Sequence, residues 1–365
     1  MNILLVEPDY YSKYPPLGLL KLASYHRSRG DNVRLVRGTE SLTDFNPDIV
    51  KVTSLFTYAW KPVHEAIDFF QNEFDDASIE IGGIYASLLP DNIRKEFPKV
   101  AIHNGLFEEA EGYLPAYDLL KTVDKWKSWN SSILFTSRGC IRNCPFCVVP
   151  RIEGKLRSVA ESVRQIIHPD HKRVIIWDNN FLASPDWRKV IDIFEDMGVE
   201  VDFNQGLDAR LVDEEVAKML KSTKAKLIRM AYDIPQEKVA VTRAVSLLED
   251  QGFKKRKILF YVLHNFYDET NGNGDTPQDF LERIRYLGDL GCSSYPMRYI
   301  PPDSLSKNSY ISPYWSSDQL DLVAKARRVI GFGGAFPPYE GLVKKLNDAK
   351  SFEEAFTLRP VQQIC

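Results

Sequence analysis

Three of the chain's five cysteines fall within eight residues, in the run Ser137-Arg138-Gly139-Cys140-Ile141-Arg142-Asn143-Cys144-Pro145-Phe146-Cys147. This CxxxCxxC spacing constrains the chain more than any other feature. Gly139 and Pro145 favour a loop that can wrap around a ligand. Three thiolates on one loop suit iron–sulfur or zinc. On a [4Fe–4S] cube they leave one iron without a protein ligand, open to a small molecule. Zinc needs a fourth ligand, and the nearest histidines, His168 and His171, lie outside the usual spacing. In a third reading the three are small buried hydrophobes, against which their closeness on a Gly/Pro loop argues. Cys292 and Cys365 stand alone in the sequence and are read as non-ligands.

Around this loop, strands and helices alternate. Short apolar runs at Ile3–Val6, Val33–Val36, Ile49–Ser54, Ile79–Ile81 and Val100–His103 read as strands. Helical spacing at Leu17–Arg29, His64–Phe74 and Ile93–Phe97 separates them. That alternation implies a parallel sheet covered on both faces, so residues 1–112 are expected to form a doubly wound, Rossmann-like domain. Residues 113–132 lack clear periodicity and read as a linker. Over 133–300 the alternation resumes. Strands are expected at Ile133–Thr136, Val174–Trp177, Val201–Asn204, Leu227–Ala231, Ile258–Leu263 and Ser294–Tyr299. Helices are expected at Trp187–Met197, Asp213–Leu220, Val239–Gln251 and Pro277–Leu290. A partial (β/α)6 barrel or a second open sheet follows, with ligands at the carboxyl ends of its strands. Residues 301–365 read as a mainly helical extension, with a helix over Ser317–Val329.

The cysteine segment resembles the signature of the radical S-adenosylmethionine (radical SAM) enzymes, CxxxCxΦC, with Phe146 at the aromatic position. The resemblance implies that Cys140, Cys144 and Cys147 hold a [4Fe–4S] cluster whose open iron chelates S-adenosylmethionine. An electron from the cluster then cleaves the sulfonium, and the resulting 5′-deoxyadenosyl radical takes a hydrogen from a substrate. It implies further cofactor contacts at strand ends: Asp178, Asn179 and Asn180 after the second barrel strand, and Asn204, Gln205 and Arg210 after the third. The family's glycine-glycine-glutamate form is absent at the first of these, and a helix-capping turn is the alternative. His264 and Arg298 are candidates to face the substrate; a structural histidine and a structural ion pair are the alternatives.

The first domain resembles the cobalamin-binding domain of one radical SAM subgroup, on Pro15-Pro16-Leu17-Gly18-Leu19, on Ser54 with Thr57, and on Gly82-Gly83. The two hydroxyls would meet the cofactor, and the two glycines would let backbone approach it closely. No Asp-x-His-x-x-Gly occurs, so no histidine is placed to ligate cobalt from below. Cobalamin is a candidate cofactor on this resemblance, and a domain that shapes a substrate cleft without corrin is the alternative.

Composition excludes some partners. Lys+Arg is 47 against Asp+Glu 50, so there is no basic body built to grip nucleic-acid phosphates. The short run Lys254-Lys255-Arg256-Lys257 reads as a solvated loop. No apolar run approaches the roughly 18 residues a bilayer requires. The opening Met1-Asn2-Ile3-Leu4-Leu5-Val6-Glu7-Pro8 reads as a buried strand, not a signal peptide, so a cytoplasmic protein is expected. Three functions remain. One is a cobalamin-dependent radical SAM methyltransferase. The second is a radical SAM enzyme without cobalamin, doing rearrangement, hydrogen abstraction or tRNA or nucleotide modification. The run Cys147-Val148-Val149-Pro150 resembles the tRNA methylthiotransferases in this respect. The third is a non-enzymatic cluster-bearing sensor. Either enzyme needs a reductant to supply the electron, and no residue names the substrate.

Overall fold

The computed structural model describes residues 1–357, so Cys365 lies outside the described residues. The chain divides into two compact units. The first holds residues 1–143, 147–175 and 301–307; the second holds 144–146, 176–300 and the chain from 308 on.

In the first unit, β1 (Asn2–Glu7), β2 (Asn32–Arg37), β3 (Ile49–Ser54), β4 (Ser78–Gly83) and β5 (Ala101–Ile102) form a parallel sheet in the order β2-β1-β3-β4-β5. Successive side chains of a strand point to opposite faces. Leu4, Val6, Val50, Val52, Ile79 and Ile81 therefore share one face. That face packs against α2 (Trp60–Glu73), α3 (Ile84–Leu88) and α4 (Pro90–Glu96), through residues such as Val63, Ile67, Phe70, Tyr85 and Ile93. Ile3, Leu5, Val33 and Leu35 share the other, under α1 (Leu17–Ser28). Residues 113–132, expected as a linker, contribute to this second core: Tyr117, Leu120, Val123 and Trp126 all pack into it. Their signal was hidden because Tyr117 and Leu120 sit on a six-residue 3-10 turn, Tyr117–Thr122, and Val123 and Trp126 follow it in turns, without helical period.

The second face changes character over β3 and β4. In register with Leu5 stands Lys51, and in register with Lys51 stands Glu80; the two form an ion pair. A cavity of about 200 Å³ opens above them.

Gly83 shows why a glycine ends β4. Its φ is +101°, and a Cβ there would stand 2.1 Å from the Ser54 carbonyl oxygen. The strand pair closes only without a side chain at that point.

The rest of the first unit carries the cysteine loop. After β6 (Ser132–Leu134), β7 (Ser137–Arg138) leads into the loop, α5 (Val149–Ile152) lies within it, and β8 (Arg157–Ser158) returns antiparallel to β7. The strand β9 (Arg173–Ile176) lies beside β6.

In the second unit, α6 (Trp187–Asp196), β10 (Glu200–Phe203), α7 (Glu214–Ser222), β11 (Ile228–Ala231), α8 (Lys238–Asp250), β12 (Ile258–His264), α9 (Pro277–Asp289) and β15 (Ser293–Arg298) alternate as expected. Between β12 and α9 a small hairpin, β13 (Tyr267–Asp268) and β14 (Asn273–Gly274), is added. The strands β11, β12 and β15 pair in parallel, and Leu207 N donates to Arg229 O at 2.7 Å just beyond β10. Local chemistry starts the helices. Trp187, Val190, Ile191 and Phe194 give α6 one buried face. Thr276 and Asp279 form a capping box ahead of α9, with Pro277 in its first turn. Ser316 and Gln319 do the same for α10 (Ser317–Val329), which α11 (Glu340–Asp348) and α12 (Phe352–Phe356) follow. Among the described residues, no helix is long and apolar enough to cross a membrane.

Candidate active site

The cysteine loop is pinned at its neck. Arg138 pairs with Arg157 in the β7–β8 ladder, and Cys140 bridges to Lys155. The Gly139 N–H donates to Glu153 Oε2 at 2.9 Å, and Arg138 NH1 donates to Glu153 Oε1 at 3.1 Å. Residues 139 to 153 are thus a closed excursion whose two ends touch. Within it, Cys140, Cys144 and Cys147 are half-buried thiols, and the Arg142 N–H donates to Cys140 Sγ at 3.3 Å. Among the described residues, no three His, Cys, Asp or Glu side chains converge on a single metal-ion position. The donor set is three soft thiols on one short loop. That set fits a cube, which takes each thiolate on a different iron. Cys292 is buried, and desolvation pushes its thiol up to about 12, away from the thiolate that ligation needs.

In the second unit the expected polar residues gather at strand ends. Asp178 and Asn180 are buried and Asn179 half-buried just after β9. Asn180 Nδ2 donates to Asp208 Oδ2 at 3.3 Å. Beyond β10, Arg210 Nε donates to Asp208 Oδ1 at 2.7 Å, and its NH1 lies 3.0 Å from Glu237 Oε1. The Asp208 hydrogen bond chiefly holds the guanidinium above its usual value, with the charges of Asp208, Glu237 and Cys144 adding to it. Asn204 accepts at its carbonyl from the Tyr261 hydroxyl at 3.1 Å, and Gln205 is exposed. Phe146 stands edge-on to Phe266, ring centres 5.5 Å apart.

Asp208, Glu237, Tyr261 and Asp233 had no motif to announce them. Asp233 follows β11, where desolvation, with help from Glu237, pushes its carboxyl up to about 6. A carboxyl titrating near neutrality at a strand's carboxyl end is a candidate proton holder.

His264 lies elsewhere. Along β12 it shares a face with Ile258, Phe260 and Val262, the fully buried face. Its ring packs against Phe280 of α9 and Trp315. It thus points into the helix layer. The opposite parity, carried by Tyr261, faces Asn204 and Gly206. Arg298 is half-buried, and its NH2 donates to the carbonyls of Asn308 at 2.7 Å and Tyr310 at 3.1 Å, holding that backbone.

Burial, together with Arg283, Arg327 and Arg298, pushes His264 from 6.5 down to about 3. The folded chain keeps it neutral while the unfolded chain protonates it below its ordinary value. Its contribution is complete above pH 6.5 and is lost as pH falls toward 3. Between pH 6.5 and 5 the loss is about 2 kcal/mol. Replacing His264→Phe is expected to shrink the drop in unfolding free energy between pH 7 and 5 by that amount, measured by urea titration. Asp275, pushed up to about 7 by burial, and His171, pushed down to about 4 by burial, titrate in both proteins and cancel in the comparison.

In the first unit the cavity is lined by Gly82 and Gly83, by Leu19 and Lys21 of α1, and by Glu111 and Arg138. Ser54 and Thr57 do not line it. Ser54 Oγ donates to Gly82 O at 2.8 Å and accepts from the Ala86 N–H at 3.1 Å, joining β3, β4 and α3. The Thr57 hydroxyl donates toward the carbonyls of Pro302 at 3.0 Å and Ser304 at 2.7 Å. Both expected cofactor hydroxyls are spent within the chain. The glycines line the cavity, but Gly83 is required by the approach of Ser54 and Gly82 faces His103, so neither they nor the hydroxyls single out a corrin, and no step is derived through cobalamin.

No protein-family model matches the chain, and no curated protein matches it. Solved structures do. The radical S-adenosylmethionine methyltransferase TsrM from Kitasatospora setae, with cobalamin and a [4Fe–4S] cluster bound, matches over 83% of this chain and 77% of its own, at a TM-score of 0.62 and 14% identity. Coproporphyrinogen III oxidase (HemN) from Escherichia coli, a radical SAM enzyme, matches over 63% and 60% at 12% identity, but its TM-score of 0.38 is too low to bear on the fold. An α/β chain with a Rossmann-like first part, strands and helices alternating after it and a helical end is what the TsrM likeness supports. Over most of its length this chain therefore shares the fold of TsrM.

Proposed function

We propose that this chain is a radical SAM enzyme. The observation that carries the reading is the loop of three thiols, pinned at its neck by Glu153. Cys140, Cys144 and Cys147 hold the cluster, which when bound supplies the electron for reductive cleavage of the sulfonium. Asp178, Asn179, Asn180, Asn204 and Gln205 offer hydrogen bonds to the amino, carboxylate and ribose groups of S-adenosylmethionine. Arg210 offers a guanidinium suited to a carboxylate, and Asp208 with Glu237 holds it in orientation. Phe146 is an apolar flank of the same loop.

The finer reading is cobalamin-dependent methyl transfer, supported by the fold shared with TsrM and by the glycine-lined cavity. A second reading, radical chemistry without cobalamin, is favoured by the spent hydroxyls of Ser54 and Thr57 and by the charged cavity walls. Anaerobic purification, cluster reconstitution, and iron and corrin analysis with and without hydroxocobalamin decide between them. About four irons per chain is the expected result. Bound corrin selects methyl transfer, and iron without corrin selects the second reading. A chain that takes up no iron overturns both.

A further inference from the structure

We propose that Lys21, Glu111, Arg138 and Glu153 form one charged clamp that positions the entrance of the cysteine loop from the wall of the first unit's cavity. The inference rests on the proposed reading of that loop as a cluster site.

The contacts run without a break. Lys21 Nζ lies 3.3 Å from Glu111 Oε1. Glu111 takes both ends of the Arg138 guanidinium, from Nε and NH2, each at 2.9 Å. Arg138 reaches on to Glu153, and Glu153 accepts the Gly139 N–H, one residue before the first thiol. The side chains are 3%, 15%, 7% and 11% exposed in that order, so all four charges are largely desolvated. Burial pushes Lys21 down, with Glu111 opposing. Glu111 is pushed up by burial, but Arg138 and Lys21 outweigh that and hold it low. Such a set is weak evidence for stability, because desolvation offsets the attraction. Its geometry is specific, however. A bidentate guanidinium has one orientation, and this one also lies over the Phe135 ring, 3.4 Å from its centre. Removing the charge at one end leaves Glu111 free to turn, and Arg138 with it.

The cavity contains its own control. Lys51 also lines the wall, but it pairs with Glu80 across β3 and β4, outside this chain of contacts. Lys21→Met and Lys51→Met each remove one cation from the same cavity.

Two readouts are taken on the full chain. In the iron-free protein, exchange of the Gly139 amide hydrogen is expected to quicken about tenfold or more in Lys21→Met, since a fixed acceptor is what protects it. It should stay at the wild-type rate in Lys51→Met. After reconstitution, the electron paramagnetic resonance spectrum of the reduced cluster should change in Lys21→Met only, with Lys21→Arg restoring the wild-type signal. Glu111→Gln should act like Lys21→Met and serves if that variant does not fold. Equal effects from Lys21→Met and Lys51→Met, or none from either, overturn the clamp. If wild type binds no iron the cluster reading falls, and the exchange rates still decide the clamp.

Discussion

Replacing Cys144→Ala is expected to abolish iron uptake and the reductive cleavage of S-adenosylmethionine together. Two thiolates cannot hold a cube that needs three protein ligands. Loss of a partner one step removed from a metal typically costs roughly 10–100-fold in affinity or activity, so loss of a ligand itself should exceed that and leave cleavage at the rate of the iron-free chain. Cys292→Ala is the matched control: a buried thiol away from the loop, expected to cost about 1 kcal/mol of stability and no iron. Iron content by metal analysis and methionine release under reducing conditions measure both. Wild-type cleavage in Cys144→Ala would remove the basis of the proposed function.

Gly139→Ala should nearly match it without touching a thiol. Gly139 has φ +75°, and a Cβ there would stand 2.4 Å from the Lys155 carbonyl oxygen, 2.6 Å from its carbon and 2.8 Å from the Gly154 oxygen. All three are backbone atoms at the neck, so the clash cannot be relieved by turning a side chain. The left-handed conformation alone costs an L-residue about 1–2 kcal/mol, and the neck must part to seat the methyl. The β7–β8 ladder and the Glu153 contact should open, and iron retention should fall at least about tenfold, as it does for supporting residues of metal sites. The larger sheets lie outside this loop and the β7–β8 ladder is only two residues long, so the far-ultraviolet circular dichroism should change little. Full iron loading in Gly139→Ala would show that the neck does not govern the loop.

Much of this was legible in the residues. The strand Ile49–Ser54 and the helix Ser317–Val329 have the bounds that period and turn chemistry assign them. The thiol spacing needed no structure to be noticed. What stayed hidden was hidden for physical reasons. Tyr117 and Trp126 pack into a core from a segment with no repeating period. His264 ends an alternating strand, and the sequence does not say which parity of β12 faces the helices. Ser54 and Thr57 matched a motif, but their partners, Gly82, Ala86, Pro302 and Ser304, are set by tertiary contacts. Glu153 and Glu111 are ordinary acids until Arg138 joins them.

The first unit is not one continuous stretch of chain, and that limits how it can be inherited. A recombination break after residue 112 would carry off the sheet but leave behind Tyr117, Leu120 and Trp126, exposing the apolar side of β1 and β2 to water. It would also strand Thr57 without the carbonyls supplied from residues 302 and 304. Shuffling of this part as an independent cassette is therefore costly, and a chimaera that borrows it must borrow three separated pieces at once.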